Sequence, residues 1–431
     1  MQILIKGGRV IDPENHIDAI QDIWIEDGKI IKIEDPVEIL GSENKAIEKF
    51  TILDADGKLV TPGLIDMHVH FREPGFEYKE TIATGCKAAA HGGFTAVCTM
   101  PNTNPVNDNP QTTGFIMKKA MEADLVRVYP VGAISKGLKG KALSEYKELK
   151  DAGVIALSDD GRPVVSSLLM RRALEYAKTF DLLIISHCED LELAANGVMN
   201  EGALATRLGL AGIPNAAESI IIMRDIALCE LTMAPLHIAH VSTVESVAAL
   251  RDAKKRGIPV TAETAPHYFT LTQDALKTYN TNAKMSPPLR TAKDREAIWE
   301  GLADGTLDVI ATDHAPHSVI EKEVEFDMAA NGIVGLETSI PLGLELVRKK
   351  IISINGLIKK MSFNPARILG LDYGLKPGSQ ADITIIDPDI EYTLLPENLM
   401  SLSKNTPFEG QQLKGKAVCT LVAGKIIFNE L

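Results

Sequence analysis

The chain has 431 residues, enough for one large domain and a smaller one. Its 45% of apolar and 24% of charged residues are typical of a soluble globular protein. The net charge of −13 argues against a nucleic-acid-binding surface, so an anionic substrate would need a local cationic anchor.

The two ends of the chain have the pattern of short antiparallel strands. Residues 1–58 include two apolar runs that flank Asp27-Gly28, a strong hairpin signal. After residue 370, a strand pattern spans Ala381 to Ile386, and a second hairpin is centred on Ala423-Gly424. We therefore predict one small β-sandwich domain that is built from both termini, residues 1–58 and 371–431.

The middle of the chain, residues 59–370, alternates apolar runs with segments long enough for a helix. The runs begin near Leu64, Phe94, Val126, Val154, Leu182, Leu236, Val260 and Val309. They are mostly continuous, as in parallel strands that are covered on both faces. Helix candidates are Ser167–Phe180, Ala216–Cys229 and Thr243–Arg256. Eight strand–helix units predict an α/β fold, a TIM-type (β/α)8 barrel.

Histidines collect where these runs end. Eight of the ten histidines lie within or just beyond the runs, which scattered core histidines would not do. His68 and His70 are two residues apart at the end of the first run, so both point to the same side of a strand. Catalytic residues of such barrels come from the C-terminal ends of several strands. Four imidazoles and two carboxylates there predict a zinc centre, with one or two metals, that keeps a position open for water.

Some clusters contain more than one histidine. His240 lies nearer the end of its run than His237, which faces the opposite side of the strand. We therefore predict that His240 is a metal ligand and that His237 is a supporting or core histidine. His267 and His314 are expected to support the site through hydrogen bonds.

These residues carry a resemblance to a known family. The stretch His68-Val69-His70-Phe71-Arg72-Glu73-Pro74-Gly75, followed by Tyr78-Lys79-Glu80-Thr81, resembles the bacterial long-type dihydroorotases of the amidohydrolase superfamily. Further similar stretches follow in the same order: Met100–Thr103, Ser158–Gly161, His187–Asp190, His240–Thr243, Ala311–His317 and Gly332–Thr338. The match covers nearly the whole chain.

The resemblance implies a role for each of these residues. His68 and His70 would bind a first zinc, Asp160 would bridge to a second, and His187 and His240 would complete it. Asp313 would touch the first zinc and act as the general base. The implied substrate contacts are His70, Arg72, Asn102, Ser286, His317, Asn331 and Gly332. The family usually has Asn where this chain has Ser286, and many relatives have Phe where it has Asn331.

The implied reaction is the reversible cyclisation of N-carbamoyl-L-aspartate to dihydroorotate in pyrimidine biosynthesis. Zinc lowers the pKa of bound water to about 7, and a carboxylate such as Asp313 can move the proton. Both compounds carry a carboxylate, which Arg72 can bind through paired hydrogen bonds.

Two other functions compete with this one. Hydantoinase, dihydropyrimidinase and allantoinase typically bridge their metals with a carboxylated lysine on the fourth strand, whereas Val154–Asp160 contains no lysine. A catalytically inactive scaffold for aspartate transcarbamoylase would be expected to lose metal ligands, and this chain has them all.

Partners and compartment follow from the same sequence. We expect a homodimer, aspartate transcarbamoylase as a possible partner, and no nucleic-acid or membrane partner. The odd number of five cysteines, without a C-x-x-C pair, favours a reducing cytoplasm. Met1 leads directly into a strand pattern, so no signal peptide is expected. No uncharged apolar run approaches the length of a membrane span.

Overall fold

The computed structural model describes residues 2–36 and 49–431, so residues 37–48 of the predicted N-terminal part lie outside it. The N-terminal strands are β1 (Gln2–Asp12), β2 (Ile17–Glu26), β3 (Lys29–Glu34), β4 (Thr51–Asp54) and β5 (Leu59–Pro62). The predicted hairpin joins β2 to β3, and its turn residues Asp27 and Gly28 have φ of 49° and 81°. This left-handed turn matches the twist of the flanking strands.

The barrel strands follow in chain order: β6 (Leu64–Val69), β7 (Phe94–Thr99), β8 (Arg127–Gly132), β9 (Ala156–Ser158) and β10 (Leu183–Ser186). After the short pair β11 (Met199–Asn200) and β12 (Gly212–Ile213) come β13 (Leu236–Ile238), β14 (Val260–Thr264) and β15 (Val309–Ile310). Within residues 49–431, eight of these strands pair in parallel in the order β15-β14-β13-β10-β9-β8-β7-β6. The ring closes where His70 N donates to the carbonyl of His314 at 2.8 Å. The predicted TIM-type barrel is confirmed.

Helices cover the outside of this barrel. The α-helices of the described chain are Ile82–His91, Pro110–Ala123, Tyr146–Asp151, Ser167–Thr179, Leu191–Ala194, Ala203–Leu208, Ala216–Thr232, Val244–Lys255, Pro266–Thr270, Ala292–Asp304, Val319–Lys322, Ser339–Arg348, Ile354–Ile358 and Asn364–Leu369. The three helices predicted from the sequence are present. Helix Val244–Lys255 begins after Thr243, whose hydroxyl accepts from the backbone of Ser246, and it ends in two lysines that suit the negative helix terminus.

The two termini form one sheet with the remaining strands, β16 (Ile383–Thr393), β17 (Gln412–Val422) and β18 (Lys425–Asn429). In the described residues its order is β18-β17-β16-β5-β1-β2-β3, with β4 also paired to β1. Gly378 N, which precedes β16, donates to the carbonyl of Ile30 in β3 at 2.7 Å, and the buried apolar residues of the sheet form a core of their own. This sheet is the separate β domain predicted from both ends.

β5 joins the two halves of that sheet. It pairs with β1 on one side and with β16 on the other, although the predicted boundary assigns residues 59–62 to the barrel. The barrel begins directly after it, at Leu64, with only Gly63 between the two strands. The domain boundaries otherwise stay predictions.

None of the described helices has both the length and the hydropathy needed to cross a membrane. In the described chain all five cysteines are free, and each is buried.

Candidate active site

Two histidines and an aspartate meet at the C-terminal ends of β6 and β9. Nε2 of His68 lies 3.4 Å from Oδ1 of Asp160, and Nε2 of His70 lies 3.4 Å from Oδ2 of the same carboxylate. All three side chains are buried. The alternation of β6 places both imidazoles on the barrel axis, as the sequence spacing predicts.

Two further histidines approach the same carboxylate from β10 and β13. Nδ1 of His187 and Nε2 of His240 each lie 3.4 Å from Oδ1 of Asp160, and these nitrogens are 2.7 Å apart. The structure thus contains two overlapping groups whose ligand atoms lie within 4.8 Å of one another, His68 with His70 and Asp160, and Asp160 with His187 and His240.

These atoms lack the partners that buried polar groups require. Nε2 of His68 and Oδ1 of Asp160 are buried and accept or donate no hydrogen bond within the described residues. A buried unsatisfied polar group costs about 1–3 kcal/mol, and more if it is charged. Imidazole nitrogens and a carboxylate that converge in this way are the donors of zinc sites. The residues present therefore fit a divalent metal.

Asp313 adds a second carboxylate beyond the end of β15. Its Oδ1 lies 3.2 Å from Nε2 of His70 and 3.6 Å from Nε2 of His68. Its backbone has φ of 49°, a left-handed conformation that an aspartate adopts at a cost. Burial raises the pKa of Asp313, but the nearby imidazoles outweigh it and hold the pKa below its usual value. The carboxylate is therefore ionised at neutral pH.

A buried glutamate orients one of these imidazoles, and the motifs gave no indication of it. Oε1 of Glu263 accepts from Nδ1 of His68 at 2.7 Å, and its Oε2 lies 3.2 Å from Nε2 of His237. The hydrogen bond to Nδ1 leaves the lone pair on Nε2 of His68 available to a metal beside Asp160. The sequence does contain one sign of Glu263: it is a carboxylate inside the apolar strand β14, and a buried charge needs a partner. His237 belongs to this support, as predicted.

The other supporting histidines differ from each other. His314 receives a hydrogen bond from the backbone of Gly335 on Nδ1, and its Nε2 lies 3.3 Å from Glu80. This arrangement matches the predicted support. His267 is buried, and its Nε2 has no hydrogen-bond partner within the described chain. Burial lowers the pKa of His267 to about 4, so this ring is neutral.

The predicted carboxylate-binding residues lie beside this cluster. Arg72 donates from Nε to the carbonyl of Pro316 at 3.2 Å, and its Nη2 lies 3.2 Å from Nε2 of His317. Burial lowers the pKa of Arg72 to about 10, so the guanidinium stays charged at neutral pH. Oδ1 of Asn102 accepts from Nδ1 of His70 at 2.9 Å, which leaves its amide nitrogen as a donor.

The loops that contain Ser286, Asn331 and Gly332 are tied together. Gly332 N donates to the carbonyl of Lys284 at 2.9 Å, and Lys322 Nζ donates to the carbonyl of Gly332 at 3.0 Å. The backbone N–H and the carbonyl of Gly332 thus both make hydrogen bonds within the protein. A Cβ on Gly332 would lie 2.6 Å from that of Ala315, so only glycine fits there. Ser286 is half-buried and Asn331 is exposed.

Comparison with known proteins shows the family. A model described as "Dihydro-orotase-like" matches residues 57–246. The chain is 55% identical over 431 residues to the "Dihydroorotase" of Syntrophus aciditrophicus, which covers 100% of both chains. It is 59% identical over 426 residues to the "Dihydroorotase" of Desulfotalea psychrophila, covering 99% of each. The chain belongs to the dihydroorotase family.

The solved structures that resemble this dihydroorotase family member share its architecture. The L-hydantoinase (dihydropyrimidinase) from Arthrobacter aurescens superposes with a TM-score of 0.87 at 27% identity, over 99% of this chain and 96% of that one. As a member of the dihydroorotase family, the chain is a metal-binding cyclic amide hydrolase of pyrimidine biosynthesis. It acts on a small molecule, and the inactive-scaffold alternative is not favoured.

Proposed function

We propose that this chain catalyses the reversible, zinc-dependent cyclisation of N-carbamoyl-L-aspartate to dihydroorotate. One observation supports this most strongly: a buried cluster of imidazoles and carboxylates around Asp160 lies beside the cation of Arg72. The cluster suits hydrolysis or closure of a cyclic amide, and the cation suits the carboxylate that both compounds carry.

The metal roles follow the family resemblance and the distances. His68 and His70 would hold one zinc, His187 and His240 a second, and Asp160 would bridge them. Zinc supplies a bound water with a pKa near 7 and polarises the carbonyl that reacts. The imidazole–carboxylate donor set favours zinc over magnesium or calcium.

The chain's own residues would move the proton and hold the substrate. Asp313 accepts the proton of the attacking water and transfers it to the ring nitrogen that leaves, and the reverse steps close the ring. Arg72, His317 and the amide of Asn102 hold the carboxylate beside the ring. Ser286 and Asn331 are proposed to line the substrate, and Gly332 allows their loops to approach closely.

A substrate comparison tests the proposal. Purified zinc-loaded protein is assayed with dihydroorotate, hydantoin and dihydrouracil across a range of pH. Turnover of dihydroorotate far above that of the other two rings is the expected result. Turnover of hydantoin or dihydrouracil at an equal or higher kcat/KM would favour the hydantoinase alternative instead.

The first prediction concerns metal content. Changing His187 or His240 to Ala should lower bound zinc, because each removes one of the nitrogens beside Asp160. Elemental analysis of each purified variant measures this loss. His16→Ala is the matched control, since His16 is exposed in a turn of the terminal sheet and should leave the zinc content unchanged. Unchanged zinc in both site variants would contradict the proposed ligands.

The second prediction concerns the bridging group. Val154–Asp160 contains no lysine, and Asp160 occupies the position between the two histidine pairs. Activity should therefore not depend on added bicarbonate, and a metal-loaded crystal should show the carboxylate of Asp160 between the metals. The measurement compares protein purified in degassed and in bicarbonate buffers. Density for a carbamate on any lysine of the site would contradict this assignment.

Assembly and location complete the proposal. Exposed apolar side chains on two neighbouring helices, Leu168, Ile220 and Met223, support a homodimer. Sedimentation of the purified chain, alone and mixed with aspartate transcarbamoylase, tests both the dimer and this partner. Five thiols that all remain free fit the reducing cytoplasm.

A further inference from the structure

His317 has a cation at each nitrogen of its ring. Nη2 of Arg72 lies 3.2 Å from Nε2, and Nζ of Lys79 lies 3.5 Å from Nδ1. A guanidinium and an ammonium can only donate hydrogen bonds. Each ring nitrogen of His317 therefore faces a donor.

A neutral imidazole cannot accept from both cations, because it has one N–H and one nitrogen lone pair. Burial, followed by the charges of Arg72 and Lys79, lowers the pKa of His317 to about 2, against a smaller opposite effect from a hydrogen bond between the ring and the backbone of Asn331. The ring is therefore neutral at pH 7. The ring proton lies on only one of the two nitrogens. The cation beside that nitrogen can only donate, so it cannot accept this proton.

The surroundings of Lys79 favour a lone pair on Nδ1. Glu321 holds the ammonium in place, since its Oε1 lies 2.6 Å from Nζ of Lys79. Glu321 is itself fixed by hydrogen bonds from the backbone and hydroxyl of Ser318. Its other oxygen is 3.7 Å from Nδ1 of His317, beyond hydrogen-bond distance. The nearest partner of Nδ1 in this group is thus the donor on Lys79.

We propose that Lys79 is a positioning residue for substrate recognition, which donates to Nδ1 of His317 and thereby keeps the ring proton on Nε2. The substrate carboxylate then receives hydrogen bonds from both Arg72 and His317. This inference rests on the proposed function, because that function provides the carboxylate.

Nitrogen NMR of the substrate-free, zinc-loaded protein with 15N-labelled histidine tests the ring proton directly. His317→Gln identifies the signals of this ring. The wild-type ring should carry its proton on Nε2. Lys79→Met keeps the chain length but removes the donor, so the proton should shift to Nδ1, which then faces Glu321. Lys79→Arg retains a donor and should retain the wild-type signals. An unchanged ring in Lys79→Met would overturn the inference.

Kinetics with dihydroorotate give a second readout. KM of Lys79→Met should rise about tenfold or more, the value of one hydrogen bond to a charged group. Its kcat should change little, because the carboxylate is held alike in the ground state and the transition state. Lys118→Met is the control, since Lys118 is exposed and pairs with Glu122 on a surface helix. An unchanged KM in Lys79→Met would also overturn the inference. If the wild-type protein does not turn over dihydroorotate, the proposed function fails, whereas the NMR result still decides the role of Lys79.

Discussion

Replacing Asp313 by Asn should lower kcat for dihydroorotate about 10²- to 10⁴-fold, the usual value of a general base. Asn keeps the shape of the side chain, but its amide cannot take the proton of the attacking water. The measurement is turnover in both directions, together with zinc content by elemental analysis. The variant should keep most of its zinc although Asp313 is expected to touch the first metal, because the histidine pairs and Asp160 are unchanged.

The geometry shows how this carboxylate is held in position. Asp313 is only 8% exposed, and its Oδ1 lies within 3.6 Å of Nε2 of both His68 and His70. The preceding residue is fixed, since Thr312 N donates to Asp66 at 3.1 Å. The carboxylate is therefore aimed at the cluster before substrate binds, which is the preorganisation that proton transfer requires.

Asp304→Asn is the matched control for this substitution. Asp304 ends the helix that precedes β15, where it pairs with Arg251 at 2.7 Å on the surface. Surface changes of this kind alter stability by less than about 0.5 kcal/mol, so kcat should stay at the wild-type value. An Asp313→Asn protein that keeps both its zinc and at least about a tenth of wild-type kcat would show that the proton moves elsewhere.

The barrel could be predicted from the sequence because its strands are buried on both faces. Continuous apolar runs at Val126, Val154 and Leu182 lie within two residues of the start of β8, β9 and β10. β5 could not be assigned in the same way. Its four residues are all buried, like those of β6, and only Gly63 separates the two strands. Hydropathy reports burial and does not report which sheet a strand joins.

The convergence of the histidines could also be predicted, because strand ends of a barrel share one face. The position of Arg72 could not be derived from strand alternation. β6 ends at Val69, and Arg72 has φ of 62°, so Arg72 lies outside the strand and the strand alternation no longer applies to it. Arg72 reaches the site through a left-handed turn and a contact with Pro316, which follows β15 where the ring closes beside β6. Such a contact forms only when the barrel closes, and the sequence around a single strand does not indicate it.

One edge of the Arg72 guanidinium is therefore held by the protein, and the other edge is available to bind a carboxylate. Its Nε is used by the carbonyl of Pro316, which fixes the plane of the group. Nη2 lies beside Nε2 of His317, and Nη1 completes a fork that matches the two oxygens of a carboxylate. In an acidic chain with a net charge of −13, this fixed cation would draw the proposed anionic substrate to the site.

Arg72→Met should lower kcat/KM for dihydroorotate by about 10²-fold or more, while zinc content holds. The fork loses two hydrogen bonds to a charged group, each contributing about 1.5–3 kcal/mol, and 1.36 kcal/mol corresponds to a factor of ten. Arg72→Lys should restore only part of the loss, because an ammonium cannot form the planar fork. Steady-state kinetics of both variants give these ratios.

A ring without a carboxylate separates recognition from structural damage. Dihydrouracil offers the same amide chemistry but nothing for the guanidinium to bind, so its kcat/KM should be nearly the same in the wild-type protein and in Arg72→Met. The ratio of kcat/KM for the two rings therefore isolates the contribution of the carboxylate. Equal losses on both rings would mean that Arg72 only supports the loop at Pro316. The preference for dihydroorotate would then have to come from His317 and Asn102 alone.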